Sequence, residues 1–289
     1  MPSQQFYKFF AIVLAPLLVA VAGTCAFAYI AGSHFIFDRV TAQHGKGSYV
    51  IEQEVLFRDG SDSIIIKENW YVTDGSEMRV QATGPGLKLF RLLKHKRVYW
   101  VDGGSERADL ATDDYFMSPL LTRNILEEKR IFNHWGVLPE SALQDKRQVR
   151  DVKQIKSESE SFVRLSRIGG TINYAYGQPT PVTGPVLPGL WIEQDEFFIR
   201  KMRSPSGAEF VGNEYAPYSK NLWLPRSQII TFSNHVATIR VINVASVDFS
   251  NEQKKQLDSS WIRNRPEAAT VWPKSNLSGQ VQEFYKRFR

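Results

Sequence analysis

Five histidines, one cysteine and scattered carboxylates are what this 289-residue chain offers for acid–base, nucleophilic or metal chemistry. His34, His44, His95, His134 and His235 each stand alone, with no second histidine or carboxylate at a metal-ligand spacing. The single cysteine, Cys25, lies in an apolar N-terminal segment, so neither a disulfide framework nor thiol chemistry is expected of the folded domain. No G-x-S-x-G, H-E-x-x-H or phosphate-loop pattern occurs. Asp113-Asp114 precedes a helical stretch, where acidic residues favour the positive end of the helix dipole. Asn276-Leu277-Ser278 has the form of a glycosylation acceptor but sits beside a helix cap. These residues predict no catalytic centre, no metal site and no cofactor.

A different resource is plentiful. Trp70, Tyr71, Tyr99, Trp100, Tyr174, Tyr176, Trp191, Phe198, Trp223 and Phe232 fall on strand-like segments or their ends. Such rings either fill the core of a sheet or line a concave apolar face open to a ligand.

The elements that position them alternate with period two. Ser48–Phe57 sets Tyr49, Ile51, Gln53, Val55 and Phe57 against Val50, Glu52 and Glu54, the pattern of a half-buried strand. After a turn at Asp59-Gly60, the next run puts Ile64, Ile66, Trp70 and Val72 on one face. Asn69–Gly86, "NWYVTDGSEMRVQATGPG", reads as a strand, an Asp74-Gly75 hairpin turn and a second strand. "GLKLFRLL" and "RVYWVD" complete about five antiparallel strands by residue 102. Ser118-Pro119 then opens a helix predicted to run to near Trp135. A polar stretch follows to residue 160. Hairpins resume at Gly169-Gly170 and at Gln194-Asp195, and long strands follow at "LWLPRSQIITFS" and "VATIRVINVASV". The count is ten or eleven strands and three helices. One helix covers Ser33–Gln43, with Phe35, Ile36, Arg39 and Val40 at helical spacing; another ends the chain, with Val281, Phe284, Tyr285 and Phe288 on one face. Four prolines (Pro179, Pro181, Pro185, Pro188) mark a stiff loop that covers a sheet edge or the mouth of a cavity.

The first residues read differently. After Lys8 no charge appears before Asp38, His34 aside, and Ala26-Phe27-Ala28 supplies small residues at a cleavage site. Residues 1–28 are therefore read as a signal peptide. The alternatives are an anchor retained in the inner membrane, since about 20 apolar residues span a bilayer, and lipidation at Cys25. All three place residues 29–289 outside the cytoplasm, periplasmic or otherwise exported, as a single β-rich domain with a helical insertion at about 113–160. The net charge of +6 is spread over short basic clusters, and no nucleic-acid motif accompanies it.

The order of elements, with "LWIEQDEFFIRKMR" followed by "LWLPRSQIITFSNHVATIRVINV", resembles the LolA/RseB-like periplasmic family of outer-membrane lipoprotein-sorting type. Leu190-Trp191-Ile192-Glu193 stands at the family's "large-Trp-Ile-Asp" strand. Pro225 to Ile229 stands at its "Pro-x-x-Ile" step, and Met78-Arg79-Val80 at its "large-Arg-large" strand. Thr73-Asp74-Gly75 departs from the family's Arg-Pro step. The resemblance implies a mainly β fold, an unclosed antiparallel β half-barrel with a helical lid, whose concave side holds acyl chains. The ligand-binding candidates are then Ile66, Trp70, Trp100, Tyr174, Trp191 and Trp223, with Arg79 at the rim. The implied partner is a lipid or an acylated lipoprotein. The alternative is an envelope-stress or assembly module that binds a protein partner, anchored through its N-terminal segment.

Overall fold

The computed structural model describes residues 30–73, 77–102, 105–144, 162–181, 183–263 and 269–289. The N-terminal targeting segment, the Asp74-Gly75 turn and most of the polar stretch before residue 160 lie outside the described residues.

The first six strands, β1 (Ser48–Asp59), β2 (Asp62–Val72), β3 (Met78–Gly84), β4 (Leu87–Lys94), β5 (Arg97–Asp102) and β6 (Ser105–Leu110), form one meander. The second meander comprises β7 (Val163–Ile168), β8 (Thr171–Tyr176), β9 (Gly189–Glu193), β10 (Ile199–Arg203), β11 (Glu209–Pro217), β12 (Trp223–Phe232) and β13 (His235–Val247). The two halves join where β1 pairs antiparallel with β13 along ten registered residues, with an irregularity at Glu52/Gln53. All thirteen strands thus lie in one antiparallel sheet, with β6 and β7 as unpaired edges among the described residues. The sheet is not closed. It is an open half-barrel.

Alternation decides which side chains face inward. Tyr49, Ile51, Val55 and Phe57 of β1 and Ile64, Ile66, Trp70 and Val72 of β2 are buried, while Glu52 and Lys67 between them are exposed. The face that carries Trp70 is called inner here. Its cover is helical. Helix α1 (Ser33–Ala42) buries Ile36, Phe37 and Val40, while Phe35 turns outward at 46% exposure. The helix expected over Ser118–Trp135 is broken in two, α2 (Met117–Leu121) and α3 (Ile125–His134). The break has a local cause. Thr122 Oγ1 donates back to the Ser118 carbonyl, Arg123 is drawn to the carbonyls of His44 and Gly47, and Asn124 caps α3 by accepting from Leu126 N and Glu127 N.

The outer face is covered only in part. Helices α4 (Asn251–Lys255) and α5 (Ser259–Arg263) follow β13, and Phe249, Leu257 and Ile262 pack on Phe90, Leu92 and Val101. The last helix, α6 (Ser278–Phe288), returns to the inner face. The proline-rich loop leaves β8 at Gly177, whose φ is +89° and where an added Cβ would lie 2.7 Å from the Pro188 carbonyl oxygen. Only glycine fits there.

Candidate ligand pocket on the inner face

Helix α6 forms the centre of the inner face. Val281, Phe284, Tyr285 and Phe288 are completely buried. Phe284 meets Phe57 edge-on at 5.1 Å, and Phe288 meets Phe232 at 5.1 Å and stacks on Phe116 at 5.7 Å. From Phe116 the rings continue through Trp135 and Phe132 to Phe37 and Tyr176. This aromatic floor spans both meanders. Arg287 fastens the end of α6 to the linker before α2 through Asp114, at 2.8 Å, so one of the paired aspartates serves the packing of a distant helix.

Beside Trp70 the floor turns polar. Glu68 shares the inner phase with Ile66 and Trp70, and its carboxylate accepts from Gln53 Nε2 at 2.6 Å and Trp70 Nε1 at 2.9 Å. Arg289 follows α6, and its Nε donates to both Glu68 oxygens at 3.0 and 3.1 Å; both residues are essentially inaccessible. Its guanidinium lies over Trp70 at 5.1 Å and Phe284 at 4.7 Å. A buried pair of this kind repays its desolvation best when the remaining polar atoms are satisfied. Here several are not: Gln53 Oε1, Arg289 Nη2 and the nearby Arg91 Nε are buried without a hydrogen-bond partner.

Arg91 sits on β4, in phase with Leu89 and Leu93. It donates to the Arg289 main-chain oxygen at 2.7 Å and lies over the Trp100 ring at 5.2 Å. Desolvation pushes its guanidinium down to about 10. Burial likewise raises the Tyr115 hydroxyl, against the opposing pull of Arg289 and Arg91.

Next to this cluster the sheet opens. β4 and β5 pair only from Leu92/Tyr99 to Lys94/Arg97. Beyond that they part, and residues 269–271 enter the gap: Val271 exchanges both main-chain bonds with Lys88, and Thr270 N donates to the Val101 carbonyl. A pocket of about 300 Å³ lies at this parting. Its walls come from Arg91 and Trp100 of the sheet, Asp109 and Leu110 of β6, Tyr115, and Trp272. Lys286, Arg287 and Arg289 close it from α6. A larger and more open groove, about 890 Å³, shares Trp272 and runs past Ile64, Pro85 and Leu277.

The structure distributes the sequence candidates over several places. Ile66 and Trp70 are fully buried on the inner face, and Trp100 is half-buried in the pocket wall. Arg79 faces the opposite way: it is 4% exposed, lies over Tyr71 at 4.0 Å and Trp261 at 5.4 Å, and donates to Gln256 Oε1 at 2.6 Å. Tyr174 stacks with Phe197 on the other meander. Trp191 faces Lys201 and Arg203, and Trp223 joins Phe198 at 5.2 Å. Gln53, Glu68, Arg91 and Arg289 are the polar members that reasoning from aromatics alone misses. The signal was an ionisable residue in phase with an apolar stripe, Glu68 between Ile66 and Trp70 above all. Among the described residues no metal-binding cluster occurs, and no helix is long and apolar enough to cross a membrane.

No protein-family model and no curated protein matches the chain. Among solved structures it is similar to a LolA superfamily protein from Nitrosomonas europaea, at 10% identity and a TM-score of 0.47, covering 77% of this chain and 97% of the other. It is similar to an outer membrane lipoprotein-sorting protein domain from Vibrio parahaemolyticus, at 9% identity and a TM-score of 0.46, over 81% and 98% of the two chains. A DUF1329 family protein from Desulfovibrio piger gives 11% identity and a TM-score of 0.47 over 80% and 97%. The chain is thus similar to solved LolA-like structures, at identities of 9–11% and TM-scores of 0.46–0.47.

Proposed function

We propose that the chain is an extracytoplasmic binding protein without catalytic activity, which shelters a lipid or the acyl group of a lipoprotein at the inner face of its half-barrel. The observation that carries this reading is the pocket where β4 and β5 part, with the half-buried Trp100 ring in its wall. Its volume is at the small end of ligand sites, which run from about 300 to 1,000 Å³. An acyl chain seated there gains about 0.8 kcal/mol for each methylene removed from water. A longer chain has two ways onward, into the groove past Trp272 or beneath α6. Trp70 and Ile66 then act as floor under α6, not as ligand contacts.

The test is an environment-sensitive fatty-acid probe added to the purified protein. Binding is expected, and Trp100→Asp should weaken it by about tenfold or more, since a carboxylate there would both remove an apolar wall and neutralise Arg91. The melting temperature should change little, because the ring is only half-buried. Failure of the wild type to bind the probe would sink the reading.

A second reading, an envelope-stress or assembly module that binds a protein, draws on β6. Its residues are mostly exposed, Leu110 at 67%, and one edge is unpaired among the described residues. Such an edge can accept a strand from a partner.

A further inference from the structure

Strand β7 stands at the end of the strand order away from β5 and β6, with one edge unpaired among the described residues. The hairpin decides which of its main-chain groups face that edge. Gly169 and Gly170 turn the chain at φ +55° and +88°, a two-residue loop whose flanking pair, Ile168 and Thr171, exchanges both main-chain bonds. Bonded pairs then recur at every second residue, at Ser166/Asn173 and Arg164/Ala175. The N–H and C=O groups of Val163, Leu165 and Arg167 therefore point away from β8, to the free edge. The side chains of these three share a face with Ile172, Tyr174 and Tyr176. Part of that face is apolar and open: Leu165 is 36% exposed and Ile172 40%. Tyr174 stacks with Phe197, and Phe197 meets Phe35 of α1 edge-on at 5.8 Å, with Phe35 itself 46% exposed.

We infer that β7 accepts an extended acidic segment of another protein as a further antiparallel strand, with an apolar residue opposite Leu165. Charge selects the segment. β7 carries Arg164 and Arg167, and neither β7 nor β8 carries an acidic residue. Arg164 spends one donor on the Gly177 carbonyl, and Arg167 is exposed. Opposite charges attract across paired strands and like charges repel, so carboxylates opposite Arg164 and Arg167 are favoured. The same rule disfavours a second copy of the chain, since edge-to-edge pairing would set the arginines of one copy beside those of the other. The apolar residue opposite Leu165 extends the row that Leu165 forms with Tyr174. Main-chain bonds to Val163, Leu165 and Arg167 hold the segment whatever its side chains, and the side chains give the preference. This surface does not depend on the acyl-ligand reading, and its failure would leave that reading untouched.

The probe is a fluorescein-labelled peptide, Ser-Thr-Glu-Thr-Val-Glu-Val-Ser, whose first valine falls opposite Leu165 and whose glutamates fall opposite Arg167 and Arg164. Its anisotropy is followed as the full chain is titrated in at low ionic strength. Binding is expected, and a peptide with both glutamates replaced by lysine should bind about tenfold or more weakly, two attractive cross-strand pairs having become repulsive. Arg167→Glu should narrow or reverse that preference. Leu165→Pro removes one outward N–H without touching the bonds to β8, and should weaken the acidic peptide by about tenfold. The reversal in Arg167→Glu, at an exposed side chain, keeps the test sound should the proline variant lose its fold. No binding of the acidic peptide by the wild type, or equal affinity for the acidic and basic peptides, would overturn the proposal. A dimer in sedimentation that Leu165→Pro abolishes would assign the edge to self-pairing and overturn it as well.

Discussion

His44 ties the stability of this fold to pH through one buried ring. It follows α1, its Nδ1 donates to the Thr122 carbonyl, and burial holds its pKa at about 4 against an ordinary 6.5. The folded state therefore refuses a proton that the unfolded chain accepts. Stability from this group is complete above the ordinary pKa and drains away as the pH falls from 6.5 towards 4. The whole effect is worth about 3 kcal/mol. Melting curves should shift downward across that window, and His44→Gln, which keeps a donor for Thr122, should flatten the shift. An equally steep shift in the variant would place the acid sensitivity elsewhere. Residue roles of this sort were hardly legible in advance. His44 looked isolated because its partner is 78 positions away. Arg79 was read as a rim residue, yet a single step of phase puts it on the outer face, where Tyr71 and Trp261 sandwich its guanidinium. Arg91 lay hidden in "LKLFRLL" because four leucines and a phenylalanine make that strand look uniformly apolar. In-phase polarity was the missed signal.

At the scale of elements, alternation served well where one face is buried and failed where neither is. β1 and β2 show a period of two from end to end, and burial follows it. β6, "SERADL", carries no apolar alternation because it is an exposed edge, and its strand character comes from pairing with β5 alone. Helices α4 and α5 are short and lean on the outer face through few residues, so their period is hard to see. Helix α6 is the opposite case, since its stripe of Val281, Phe284, Tyr285 and Phe288 stands out in the sequence and is fully buried. What the stripe does not reveal is where it packs. Phe284 touches Phe57, Phe232, Tyr285 and Phe288 and lies under Arg289. Phe284→Ala should therefore cost about 3–5 kcal/mol, with the melting temperature falling by roughly 2–4 °C for each kcal/mol in a chain of this size. An unchanged melting curve would mean that α6 contributes nothing to the folded state.

The whole molecule is two meanders sewn together by their outermost strands in sequence, β1 and β13. Local signals predict the hairpins within each meander, but the seam joins residues nearly two hundred positions apart, and nothing local encodes it. With the outer edges of β6 and β7 unpaired among the described residues the sheet stays open, and helices from three parts of the chain cover the inner face. An assembly of this kind has a floor that its own α6 occupies and a mouth at the β4–β5 parting that α6 only narrows. The central claim is that this mouth admits an amphiphile. Native mass spectrometry of the protein purified from membrane-containing lysate tests it most directly. The account predicts a bound species of lipid or fatty-acid mass that is lost in the Trp100→Asp variant. A spectrum showing only the unliganded chain, or a stoichiometric protein partner in place of lipid, would contradict it.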